Sequence, residues 1–141
     1  MKNIIIFLLF NLFYHVQQQQ SFVFAFNPKK FIQENKLKEI TDREVIFNLY
    51  DIYGKETKYI TSNKTTDILR KAGIYSFKGK SEDGTKLITL TIASGKLSGA
   101  YLENGKSYFI EPFDKNCKKK YKIYIKPEGN YQVGQPNDFV P

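Results

Sequence analysis

One cysteine and the lysines around it are the residues here whose types and spacing could do chemistry. Cys117 stands in the run Asp114-Lys115-Asn116-Cys117-Lys118-Lys119-Lys120, with Lys122 two positions on. Thiolate is the form of cysteine that a zinc ion would bind, at about 2.3 Å in such sites. The competing reading is a partly exposed free thiol or an intermolecular disulfide, because a single cysteine cannot close an internal one. The lysines offer a second chemistry. Lys115, Lys118, Lys119, Lys120 and Lys122 form the one dense basic run and are the candidate binding residues for an anionic partner. The other lysines are spread along the chain, among them Lys29, Lys30, Lys36, Lys38, Lys55, Lys58 and Lys71. Arginine, the better fork for phosphate and guanine, occurs only at Arg43 and Arg70. A solvated lysine-rich face therefore outweighs stable nucleic-acid binding.

The rest of the inventory excludes most catalytic schemes. The single histidine is His15, within an expected leader, so no Ser-His-Asp triad, Cys-His pair or HExxH zinc helix can be assembled after it. GxGxxG and P-loop patterns do not occur, and no carboxylate pair stands out by spacing. The expectation is a protein that is not an enzyme, with no catalytic residues, cofactor or metal set beyond the zinc-ligand option at Cys117.

The N-terminus sets the expected compartment. A short basic start precedes an apolar run from Ile4 to Phe13, shorter than the ~20 residues needed to span a bilayer but suited to a signal peptide. Gln17 to Gln20 interrupt it, and Val23-Phe24-Ala25 suggests cleavage after Ala25. A retained amphipathic anchor is the competing reading. The expected organisation is a signal peptide over 1–25, one domain over 26–128 and an extended tail over 129–141 containing Pro136 and Pro141. The protein would be secreted or periplasmic, with no transmembrane anchor after cleavage.

Positioning these groups requires a sheet. Asn27-Pro28 starts a short helix that turns Phe31 and Ile32 inward. Residues 44–50 place Val45, Phe47 and Leu49 on one side of a strand, Tyr53 to Glu56 make a turn, and 57–61 return. Threonine caps a second helix over 66–72, which Gly73 closes in the left-handed C′ position. Ser94-Gly95 and Asn104-Gly105 are two-residue hairpin turns, the second favouring type I′. They pair Ile92 with Leu97, Leu90 with Gly99, Ile88 with Tyr101, Tyr101 with Tyr108, and Gly99 with Ile110. Both registers put Ile88, Leu90, Ile92, Leu97, Tyr101, Tyr108 and Ile110 on one face, which a one-residue slip would destroy. Tyr121, Ile123 and Ile125 supply another strand. The fold class expected is α+β: an antiparallel β-meander sheet covered by one or two short helices, with Leu90, Tyr101 and Ile110 buried beneath Ile68 and Leu69. Asn63-Lys64-Thr65 matches a glycosylation acceptor in a eukaryotic source, and is otherwise a loop before a helix.

This order of elements, ending in SFKGKSEDGTKLITLTIASGKLSGAYLENGKSYFIEP, resembles the prodomain of reprolysin-like zinc metalloproteases of the bacterial exported type. Tyr75-Ser76-Phe77-Lys78-Gly79 matches the segment preceding a strand pair, and Gly105-Lys106-Ser107-Tyr108-Phe109-Ile110-Glu111-Pro112 the element closing it. The similarity spans residues 44–125. It implies a non-catalytic module that binds a metalloprotease in cis or in trans, inhibiting it or assisting its folding. In some zinc-protease precursors a prodomain cysteine blocks the catalytic zinc, and the resemblance offers Cys117 for that role. The sequence around Cys117 departs from that switch motif, and the family's catalytic histidines and glutamate have no counterpart here. Two other readings stand beside it: a stand-alone secreted binding domain, and a basic binder of nucleic acid or anionic surfaces.

Overall fold

The computed structural model describes residues 20–39 and 42–125, so the expected leader up to Gln19 and the tail over 129–141 lie outside the described residues. Ten elements follow in order: β1 (Ser21–Ala25), α1 (Pro28–Glu34), β2 (Glu44–Tyr50), β3 (Glu56–Asn63), α2 (Asp67–Lys71), β4 (Tyr75–Ser81), β5 (Leu87–Ala93), β6 (Lys96–Glu103), β7 (Lys106–Pro112) and β8 (Lys120–Ile125). The strands form one eight-stranded sheet in the order β1-β8-β7-β6-β5-β4-β3-β2. Every neighbouring pair is antiparallel.

The meander has the expected register. Leu90 faces Gly99, Ile88 faces Tyr101 and Ile92 faces Leu97. Tyr101 faces Tyr108 and Gly99 faces Ile110. Ser94, Gly95, Asn104 and Gly105 all take positive φ, the conformation that a type I′ turn demands at both central positions. Alternation then sorts the side chains. Leu90, Ile92, Leu97 and Ile110 are fully buried, while Thr89 and Ser98 face outward.

The sheet curls until its two edges meet through aromatic side chains. The ring of Phe22 on β1 lies 5.5 Å from that of Tyr50 on β2, and Phe24 lies 6.0 Å from the same ring. Two inward-facing glycines permit the curl. A Cβ on Gly79 would strike the backbone of Ile60 and Thr61, and one on Gly99 would strike the carbonyl of Thr89. Glycine within a strand is the usual device for so tight a bend.

Two expectations need correction. The balance is mostly β: the helices are short, and α2 does not cover the sheet. No residue of α2 is buried and Ile68 is 81% exposed, because five residues form too short a helix to lay an apolar stripe on the core. The covering role falls to α1 and the turn after it, where Phe31 stacks on Phe47 at 4.2 Å and Leu37 is buried. The boundary expected after Ala25 falls at the end of β1. Residues read as the close of a leader pair along their length with β8, and Phe24 is in the core. Second, Asn63 is buried on the last position of β3, with its Oδ1 accepting the N–H of Thr65 at 2.9 Å. The folded domain does not present it as a glycan acceptor.

Candidate binding surface at the lysine-rich end

In an up-and-down meander every second connection emerges at the same end of the sheet. Here the β1–β2, β3–β4, β5–β6 and β7–β8 connections share one end. They carry most of the unbalanced positive charge. The first contributes Lys29, Lys36 and Lys38, the second Lys71, and the last Lys115, Lys118, Lys119 and Lys120, all of them exposed. The opposite end is balanced: Lys58 lies 2.8 Å from Glu82 and Lys86 lies 3.0 Å from Glu103.

Local structure holds each group of lysines in place. Asn27 Oδ1 accepts the N–H of Lys30 at 3.2 Å, starting α1 with Pro28 behind it. Phe26, Phe31 and Phe47 then pin the helix across the end of the sheet. Its outer side sends Lys29 beside the Gly95 turn and opens a groove of about 530 Å³ between Lys29, Ile32, Gln33, Lys36, Lys38 and Glu39. A second groove of about 520 Å³ adjoins Lys38 and is lined by Asp67, Arg70, Lys71, Gly73 and Tyr75. In it the Arg70 guanidinium donates to Asp67 Oδ1 at 2.7 Å and to the Thr65 carbonyl at 3.3 Å.

The loop between β7 and β8 is equally ordered by its own hydrogen bonds. Asp114 Oδ1 accepts the N–H groups of Asn116 and Cys117 at 2.7 and 2.8 Å. Lys96 Nζ donates to the Lys115 carbonyl at 2.7 Å, bringing another cation alongside. Four of the five expected binding lysines, Lys115, Lys118, Lys119 and Lys120, therefore share this end with those of α1 and α2. Lys122 departs from them. It is half-buried on the outer face of β8, with its ammonium 5.0 Å from the centre of the Tyr124 ring, a cation–π contact rather than part of the exposed cluster.

Cys117 is half-buried in the same loop. Among the described residues no group of histidine, cysteine and acidic side chains is gathered closely enough to hold a metal ion. Nor, among them, is any helix long and apolar enough to cross a membrane.

Such a surface can bind anions by summed charge. Lysine ammonium groups are hydrated point charges, and a concentration of them on one end raises the local population of acidic partners and speeds their encounter. Sequence reasoning found the Lys115–Lys120 run but left Lys29, Lys36, Lys38 and Lys71 among the scattered lysines. The signal for them was the parity of the connections.

No protein-family model matches the chain, and neither a curated protein nor a solved structure does.

Proposed function

We propose that this protein is an exported, non-catalytic binding module that docks an acidic partner surface against the lysine-rich end of its sheet. The observation that carries this reading is the convergence of lysines from α1, α2 and the β7–β8 loop on one end. The balanced opposite end makes the molecule electrically polar, which orients an approaching acidic partner as well as attracting it.

The partner that the resemblance names is a reprolysin-like metalloprotease, held in cis or in trans and inhibited or helped to fold. Two features support it: the residues carrying the resemblance form the continuous half of the sheet from β4 to β7, and no histidine follows His15 to equip the module with hydrolytic chemistry of its own. Cys117 as a zinc-blocking thiol is the least supported part, because its loop is closed by Asp114 and departs from the switch motif.

The test is to add the purified domain in excess to a reprolysin-like protease from the same organism. Activity and refolding yield are followed at low and at moderate salt. The expected result is inhibition or improved refolding that weakens as salt rises. A protease unaffected in both respects removes the metalloprotease from the proposal. Salt-sensitive retention on immobilised acidic protein would then still support an acidic partner of another kind.

A further inference from the structure

We infer that the two grooves meeting at Lys38 form one track for an extended acidic peptide segment, with Arg70 as its anchoring cation. The inference rests on the binding role proposed for the lysine-rich end and names where, and for what ligand, that end is shaped. The grooves hold about 530 and 520 Å³ and both include Lys38 in their walls. Together they run from Lys29 beside the Gly95 turn, along α1, to α2.

The chemistry of the walls selects the ligand. Lys29, Lys36, Lys38 and Lys71 supply cations, and among the described residues none of these four is in an ion pair. Glu39 and Asp67 also border the track and reduce its charge without cancelling it. Arg70 differs from the lysines. Its side chain is only 13% exposed, and Asp67 and Thr65 hold it through two of the five N–H donors that a guanidinium carries. Already paired with Asp67 and with its Nε buried, this cation has only its remaining terminal N–H groups for a second carboxylate, and its plane is fixed before the ligand arrives. Ile32 adds apolar wall between the charges.

A lysine rim with interspersed apolar wall matches a chain of carboxylates alternating with apolar side chains. It is a poorer match for nucleic acid, because the one aromatic in these walls, Tyr75, is buried and offers no ring for a base to stack on. A sulfated glycan would use the charge and leave Ile32 without a partner.

The test uses the full chain and three fluorescent probes: a ten-residue peptide alternating Glu and Leu, a single-stranded oligonucleotide, and a sulfated dextran. Anisotropy is read at two salt concentrations. The peptide should bind most tightly, and the Lys38→Gln/Lys71→Gln double variant should weaken it about tenfold, whereas Lys55→Gln/Lys106→Gln at the opposite end should change it less than about twofold. Arg70→Lys keeps the charge but loses the fork and should weaken the peptide more than the dextran, with thermal melting checked because Arg70 also holds Asp67. Tighter binding of oligonucleotide or dextran than of peptide would overturn the inference. So would peptide binding that survives Lys38→Gln/Lys71→Gln but fails in Lys118→Gln/Lys119→Gln/Lys120→Gln, an outcome that leaves the basic-end reading intact. Failure of all three probes removes both.

Discussion

The hydroxyl of Tyr121 donates to the carbonyl of Lys118 at 2.9 Å and so ties the lysine-rich loop to the core. The same oxygen accepts the N–H of Leu97 at 3.1 Å, so one buried phenol joins the starts of β6 and β8 to the β7–β8 loop. Tyr121→Phe keeps the ring in the core but leaves that N–H without its partner. The expected cost is about 1–3 kcal/mol in chemical denaturation. Binding of acidic probes should become weaker as Lys118 and its neighbours lose a defined position. Unchanged stability with unchanged binding would mean that the loop is held by Asp114 alone.

The curl of the sheet yields a second prediction. Leu90→Ala and Ile110→Ala should each cost about 2–5 kcal/mol, the range for buried large-to-small truncations, since both side chains are fully buried. Gly79→Ala adds a single methyl yet should be comparably harmful, because that methyl points into the backbone of β3. Gly105→Val should also destabilise, through φ of 75° that a β-branched residue tolerates poorly. Urea titrations rank them. A harmless Gly79→Ala would mean that β3 and β4 can separate slightly without loss of the curl.

Much of this was legible in the sequence, for a physical reason. Two hairpin turns at fixed spacing make register a matter of counting, so Ile88 through Ile110 could be paired and assigned a face before any coordinates. The curl was less legible. Gly99 was placed opposite Leu90 and Ile110, but its meaning as a bend depends on how closely Thr89 approaches, which is a tertiary fact. The pairing of Ser21–Ala25 with β8 was hidden for a similar reason. Val23-Phe24-Ala25 is an apolar stretch with a small last residue, and such a stretch suits a processing site and an edge strand equally. The lysines of α1 and α2 were visible individually, and only the shared end of alternate connections made them a surface.

Buried phenols predict how the fold responds to alkali. Burial pushes the hydroxyls of Tyr59, Tyr101 and Tyr121 above the ordinary tyrosine value of 10.0. A group whose folded pKa is raised contributes stability that is present below its unfolded pKa and lost as pH rises above it. Stability should therefore hold through neutral pH and fall once pH passes about 10, where the unfolded chain releases these protons. Phenolate absorbance should rise together with loss of sheet circular dichroism, rather than ahead of it. Tyr59 allows a sharper check, since its oxygen is buried without a hydrogen-bond partner among the described residues. Tyr59→Phe should leave stability unchanged or raise it by about 1 kcal/mol. A clear loss would point to a bound water satisfying that hydroxyl.

The last prediction concerns the N-terminal limit of the folded domain. β1 pairs from Ser21 to Ala25 with β8 and places Phe24 in the core at 5% exposure. Phe22 packs against Tyr50, and its ring lies 2.6 Å from where a Cβ on Gly54 would stand, so β1 also closes the sheet against the β2–β3 turn. Cutting after Ala25 would remove this strand, leave Tyr121 and Ile123 of β8 less covered, and turn β8 into an open edge. Burial of one phenylalanine contributes about 1.5–3 kcal/mol, and an unpaired edge invites association with other chains. A chain begun at Ser21 should melt cooperatively and run as a monomer. One begun at Phe26 should melt at lower temperature and associate. If a leader is removed, the N-terminal residue of the product should be Ser21 or one before it, as N-terminal sequencing would read. A chain begun at Phe26 that is as stable and as monomeric as the longer one would show that β1 is dispensable, and that processing after Ala25 is compatible with the fold.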